Sequence, residues 1–165
     1  MIDVDYLRSM GGEALGGRLR RLSERIDREA NEIYRSCGIE FEQRWFGIIN
    51  QLILHDELSV TDIARRLGIT HASVSQSRRS LERAGLIEGM MDEKDRRRRI
   101  LRLTPKGKTT AASLAPFWKA DKRAMRKLTD EIPSLMDAID ALENALESRS
   151  LEQRINEELE SCREV

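Results

Sequence analysis

The apolar residues recur with two different periods along the chain, and the changes of period divide it into elements. Leu15, Leu19, Leu22, Ile26, Ala30 and Ile33 fall at steps of three and four, one stripe of a helix over about Glu13 to Ser36. Residues 1–12 carry no such pattern and are expected to form a flexible N-terminus. Cys37-Gly38 closes the helix, with glycine just beyond the last turn. A second helix is expected over about Phe41 to His55; it is apolar on more than one face and should be buried. Ser59-Val60-Thr61-Asp62 then opens a short helix, with Ser59 as cap and Asp62 answering from the third position, and Leu67-Gly68 stops it. Thr70 caps the next helix, over 71–84, which stops at Ala84-Gly85. LIEGMM reads as a short strand. In ILRLT, Leu101 and Leu103 share one face and Arg102 the other, as in a half-buried strand, with the polar DEKDRRRR as the tip between the two strands. Thr104-Pro105 restarts a helix that runs to about Lys127. A last helix begins near Asp130, with Ile132, Leu135, Met136, Ile139, Leu142 and Leu146 as its stripe. The tail from Leu151 either extends it or forms a separate helix.

Two short helices joined by a glycine-containing turn, followed by strand, basic tip and strand, make a winged helix-turn-helix. The expected fold is therefore mainly α with a small β-hairpin wing. A single domain should cover 13–165, with a winged helix-turn-helix core at 40–104 flanked by long helices at 13–36 and 105–165. Those outer stripes are too long for the core of so small a fold. A second copy of the chain is the economical partner, giving a homodimer; packing on one another within a monomer is the alternative.

The stretch at 70–86, THASVSQSRRSLERAGL, has only three large apolar residues, Val74, Leu81 and Leu86. With Val74 turned inward, Ser77, Arg78 and Leu81 share its face. The outward face then carries Ala72, Gln76, Arg79 and Arg83, flanked by Ser73 and Ser75. Small residues let a helix approach closely, and its N-terminus favours a phosphate. Gln can bond both edges of an adenine, and Arg both acceptors of a guanine, in the major groove. Thr70, His71, Ser73, Ser75, Gln76 and Arg79 are the candidate DNA contacts on this helix. Lys94, Asp95, Arg96, Arg97 and Arg98 are those of the wing tip, where arginine is attracted to the minor groove. A run such as RRRR is, taken alone, more often a solvated surface. The order of the elements is what points to double-stranded DNA.

Composition sharpens this picture. The formal net charge is zero, yet 61–108 holds thirteen Lys/Arg against six Asp/Glu, while 129–165 holds three against eleven. The basic excess falls on the proposed DNA-reading segment. The start, MIDVDYLRSM, has acids and no apolar core of a secretory signal, and WFGIINQLIL at 45–54 is half the length of a membrane span. A cytoplasmic location without membrane contact is expected. Cys37 and Cys162 show no CxxC pairing, so neither a metal nor a disulfide framework is expected; a redox role for Cys37 would depend on its exposure and thiolate character. Catalysis is not expected. His55 and His71 are the only histidines; His55 lies in a polar turn without a ligand cluster, and His71 lacks an orienting carboxylate. No phosphate-binding glycine loop is present, and no cofactor is expected.

The segment ELSVTDIARRLGITHASVSQSRRSLERAGLIEGMMDEKDRRRRILRLTPKG, about 57–107, resembles the DNA-binding core of the MarR family of bacterial transcription regulators. THASVSQ and QRWFGIINQL resemble a subgroup in which such a domain sometimes precedes an acetyltransferase domain. The resemblance implies a homodimer on a pseudo-palindromic operator, most often a repressor. Through the pattern D-x-x-D-x-R followed by L-x-L-T-x-x-G, it implies that Asp95 braces the wing and that Arg97 enters the minor groove. It places Thr70, His71, Ser73, Ser75 and Gln76 on recognition-helix positions. Ser77 and Arg78 stand where the subgroup usually has apolar residues, and Ser80 where it usually has a charge. Either the packing under the helix is thinner, or Arg78 reaches outward to a phosphate. Family members often bind a small phenolic or other effector; here Tyr34, Phe41, Trp45, Phe46 and Trp118 could line such a pocket, although aromatics at helical spacing usually form core. The peroxide-sensing branch keeps a reactive cysteine early in its first helix, and this chain has none there. The alternative function is a winged-helix module that turns its basic face to an acidic protein surface.

Overall fold

The computed structural model describes residues 5–91 and 99–162. The first stripe becomes helix α2, Leu15–Ser36. Before it, the N-terminal segment carries one helical turn, α1 (Tyr6–Ser9), and a 3-10 turn at Gly11–Ala14. Asp5 caps α1 through the Arg8 N–H and accepts a bond from Arg21 on α2 at 2.9 Å. That guanidinium holds the Asp5 carboxyl below the usual carboxylate range. The second helix starts later than its apolar residues suggest: Gln43–Trp45 is a 3-10 turn, and α3 covers Phe46–His55. Tyr34 donates to Gln43 Oε1 at 2.6 Å, and the Gln43 N–H donates to Asn31 Oδ1 at 2.7 Å, so this turn is bonded to α2.

Three residues after α3, Glu57–Ser59, form strand β1, which the sequence pattern does not reveal. Helices α4 (Val60–Leu67) and α5 (His71–Arg83) follow, then strands β2 (Ile87–Met91) and β3 (Arg99–Leu103). The described strands form one antiparallel sheet in the order β1-β3-β2. Ile87 pairs with Leu103 and Met91 with Arg99, and Glu57 and Glu88 flank Arg102 from either side. Alternation decides what each face does. Ile87, Leu101 and Leu103 turn inward and are buried. Arg102 turns outward and holds Glu88 at 2.7 Å and Glu57 at 3.8 Å, an exposed charge ladder. The core beneath the sheet is Ile48, Ile49 and Leu52 from α3, Ile63 from α4, and Val74 and Leu81 from α5.

Helix α6 runs from Pro105 to Asp130, with Pro116 inside it, so the Ala112 carbonyl there lacks its helical N–H partner. Helix α7 covers Leu135–Ser148, starting later than the stripe suggests. Pro133 disfavours helix at Ile132, and Ser134 takes a positive φ of 60°. The tail is a separate helix, α8 (Leu151–Ser161), because Ser150 and Gln153 build a reciprocal capping box. The chain divides into two compact units, Met1–Ser113 and Leu114–Val165. The first contains the whole sheet and helices α1–α5, and α6 begins in it.

Candidate nucleic-acid interface

The helix-turn-helix is built from local signals. The Asp62 N–H donates to Ser59 Oγ at 3.1 Å, and the Ser73 N–H to Thr70 Oγ1 at 3.1 Å, which caps α4 and α5. Gly68 closes α4 with φ +64°, and the Ile69 N–H bonds back to the Ala64 carbonyl at 3.1 Å. Gly85 closes α5 in the same way, with φ +69° and the Leu86 N–H on the Leu81 carbonyl at 3.0 Å. The turn therefore holds α5 at a set angle to α4, while Val74 and Leu81, both fully buried, fix its rotation.

That rotation presents the polar face to solvent. Thr70, His71, Ala72, Ser73, Gln76, Arg79 and Arg83 are exposed, and Ser75 is half-buried. The Thr70 and Ser73 hydroxyls lie 2.8 Å apart, and Ser75 Oγ is 3.4 Å from His71 Nδ1. Beside them is a recess of about 180 Å³ lined by Ser59, Val60, Thr61, His71, Ser75, Arg78 and Arg99. It combines hydroxyls, an imidazole and two guanidiniums with the N-terminal end of α4. The wing-tip candidates Lys94, Asp95, Arg96, Arg97 and Arg98 lie outside the described residues.

Arg78 behaves in neither of the two ways expected of it. Its side chain is only 16% exposed and turns along α5 to Glu82, with Nη1 at 2.9 Å from both carboxylate oxygens. Its charge is thus met within α5 by that of Glu82. Ser80, the other departure, is an acceptor: Trp45 Nε1 donates to Ser80 Oγ at 2.8 Å, and Ser80 in turn donates to the Ser77 carbonyl. The Arg78–Glu82 pair follows helical i,i+4 spacing, whereas the Ser80 role was not visible from it, because Trp45 lies on another element.

The start of α6 clamps the end of α5. Thr104 Oγ1 donates to the Gly85 carbonyl at 2.6 Å and accepts the Gly107 N–H at 3.0 Å. The Thr104 N–H reaches the Leu86 carbonyl at 3.1 Å, and Lys106 Nζ the Ala84 carbonyl at 2.8 Å. A side-chain carbon at Gly107 would run into the Leu86 carbonyl, so only glycine fits. The L-x-L-T-x-x-G pattern thus has a mechanical reason in this chain.

Among the effector candidates, the structure brings three together. Tyr34, Phe41 and Trp45 are buried and meet edge to face, with ring centroids 5.1 Å and 5.6 Å apart. Phe41 and Trp45 also reach an open recess of about 620 Å³ with Asn31, Arg35 and Glu42 on its walls. Phe46 is half-buried at the start of α3. Trp118 is half-buried on α6 and belongs to the second unit.

A sheet of this order, with a capped helix pair and a two-stranded wing, can be compared with known proteins. Residues 38–98 match the MarR family. The matched segment begins two residues beyond α2 and takes in α3, β1, α4, α5 and β2, so the family resemblance seen in the sequence holds there. No curated protein matches the chain in sequence. Solved structures of similar fold include the PcaV transcriptional regulator from Streptomyces coelicolor with its natural ligand, 21% identical, TM-score 0.63, covering 83% of this chain and 94% of that one. The M. tuberculosis transcriptional regulator MOSR, solved with DNA, is 20% identical with TM-score 0.64, covering 81% and 96%. NMB1585, a MarR family regulator from Neisseria meningitidis, is 23% identical with TM-score 0.56, covering 82% and 93%. These likenesses establish the MarR-type winged-helix fold.

Proposed function

We propose that this chain is a sequence-specific regulator of transcription that binds double-stranded DNA as a homodimer, acts mainly as a repressor, and loses DNA affinity when a small effector binds. One observation carries the DNA reading. A helix anchored by only two fully buried side chains, Val74 and Leu81, turns Thr70, His71, Ser73, Gln76 and Arg79 to solvent at the end of a tight glycine turn. Such a face can enter a major groove, with Gln76 and Arg79 reading base edges and the recess by Thr61 and Arg99 seating a backbone phosphate. The wing residues Lys94, Asp95, Arg96, Arg97 and Arg98 would follow the flanking minor groove. The solved relative MOSR is described with DNA and PcaV with a ligand, which agrees with both partners. No helix among the described residues is long and apolar enough to cross a membrane, in keeping with a cytoplasmic regulator.

The test is selection of the purified protein on random duplexes, repeated for the best site across a salt series. A two-fold-symmetric site with half-sites about ten base pairs apart and a steep salt slope is the expected outcome. Gln76→Ala should change the base preference; Arg97→Ala should weaken all sites more evenly. Shallow binding without preference would favour a module that meets an acidic protein with the same face. For the effector, the recess bearing Asn31, Arg35, Glu40, Phe41, Glu42 and Trp45 supports an aromatic ligand, whose ring would meet Phe41 and Trp45. Titrating phenolic acids should change tryptophan fluorescence and lower DNA affinity together.

A further inference from the structure

The pair Arg78–Glu82 does not end on α5. Glu82 Oε1 also lies 3.8 Å from Arg99 Nη2, at the throat of the wing, where β3 leaves the tip. Arg99 is on the inward side of β3, the side of Leu101 and Leu103, and stands opposite Met91. Its guanidinium can cross toward α5 because β2 has no side chain in the way. A Cβ on Gly89 would sit 2.6 Å from Arg99 Nε and 2.9 Å from Glu82 Oε1. Arg78, bonded to both oxygens of Glu82, fixes the carboxylate that receives Arg99. The base of the wing is set by buried leucines, but its far end has this charged strut against the helix.

We infer that Glu82 is a positioning residue: through Arg99, and with Gly89 left bare, it sets the angle of the wing to α5. It thereby sets the distance between the bases read by the helix and the flanking minor groove met by the tip. This rests on the DNA reading above. The geometry makes the wing's register on DNA a property of Glu82 and Gly89, which need not touch DNA themselves and act through Arg99.

The strut is tested by duplex selection on the wild type, Glu82→Gln and Gly89→Ala, with melting curves for each. Glu82→Gln keeps the shape and removes the charge that attracts Arg99; Gly89→Ala keeps every charge and inserts a methyl group into the strut. Both variants should retain the central half-site preference set by Gln76 and lose about five- to tenfold of the preference at the flanking positions. The double variant should lose no more than either single one, since each breaks the same link. A folded Glu82→Gln variant whose flanking preference stays within about twofold of wild type would overturn the inference, whatever Gly89→Ala does. A purely structural role would lower melting temperature and affinity for all sites alike, and that result would also overturn it. If the wild type itself enriches no site, the DNA reading falls first, and the positioning role falls with it.

Discussion

Trp45 is a large apolar ring with one polar atom, and burial obliges that indole N–H to find an acceptor. It finds Ser80 Oγ at 2.8 Å, on the side of α5 turned away from solvent. A hydroxyl in mid-helix is ordinarily a weak choice, yet here it joins the 3-10 turn before α3 to the DNA-reading helix. Ser80→Ala should therefore cost about 1–2 kcal/mol, read as a lower urea midpoint with unchanged slope, because a buried donor loses its acceptor. Combined with Trp45→Phe it should cost less than the sum of the two single changes, since both break one bond. An unshifted midpoint for Ser80→Ala would mean that water replaces the hydroxyl at no cost. At this scale the sequence was readable where a residue's role is local. Ser59, Thr70 and Gly68 were assigned from neighbours within one turn, and the structure uses them so. The Trp45–Ser80 bond and the reach of Arg99 to Glu82 were not readable, because those partners are chosen by packing between elements.

Elements show the same division. Helices α2, α4 and α5 were legible from stripes and caps, within a few residues at their ends. β1 was not, because three residues such as Glu57–Ser59 carry no period and owe their conformation to β3, far along the chain. The junction between α5 and α6 lies between these cases. Thr104 as a cap was legible; that the same hydroxyl ties the Gly85 carbonyl was not. This junction carries an element-scale prediction. Gly107→Ala should force the first turn of α6 away from Leu86, breaking the Thr104 and Lys106 bonds together. The expected loss is about 1–3 kcal/mol, the range of overpacked sites, with earlier melting of the wing than of α3 in hydrogen exchange. Uniform loss of protection across the first unit would show instead that the junction is part of the global core. The candidate DNA face was legible in its helical half, since exposure follows from which two residues are apolar.

At the scale of the whole molecule, the outer stripes call for a cover. In the first unit, Leu15, Leu19, Leu22, Ile26 and Ile33 of α2 are each more than 40% exposed. In the second, Leu151, Ile155 and Leu159 of α8 are at least half exposed and repeat every four residues. Each is a continuous apolar stripe, not scattered leucines, and a stable protein has reason to cover it. In the proposed homodimer both are covered by symmetry, and two copies of α5 come to face successive turns of DNA. Replacing Leu19 and Leu22 together by Glu places four charges at a two-fold contact and leaves the core of the first unit untouched. Light scattering at micromolar concentration should then report a monomer with a retained helical spectrum. Affinity for the full operator should fall by about 10²–10⁴, because the second half-site is no longer delivered at high effective concentration. Affinity for an isolated half-site should scarcely change. Melting of the wild type should rise with protein concentration and that of the variant should not. A variant that stays dimeric and binds the operator as before would assign the α2 stripe to another partner, and would leave α8 as the surface on which to look for the dimer.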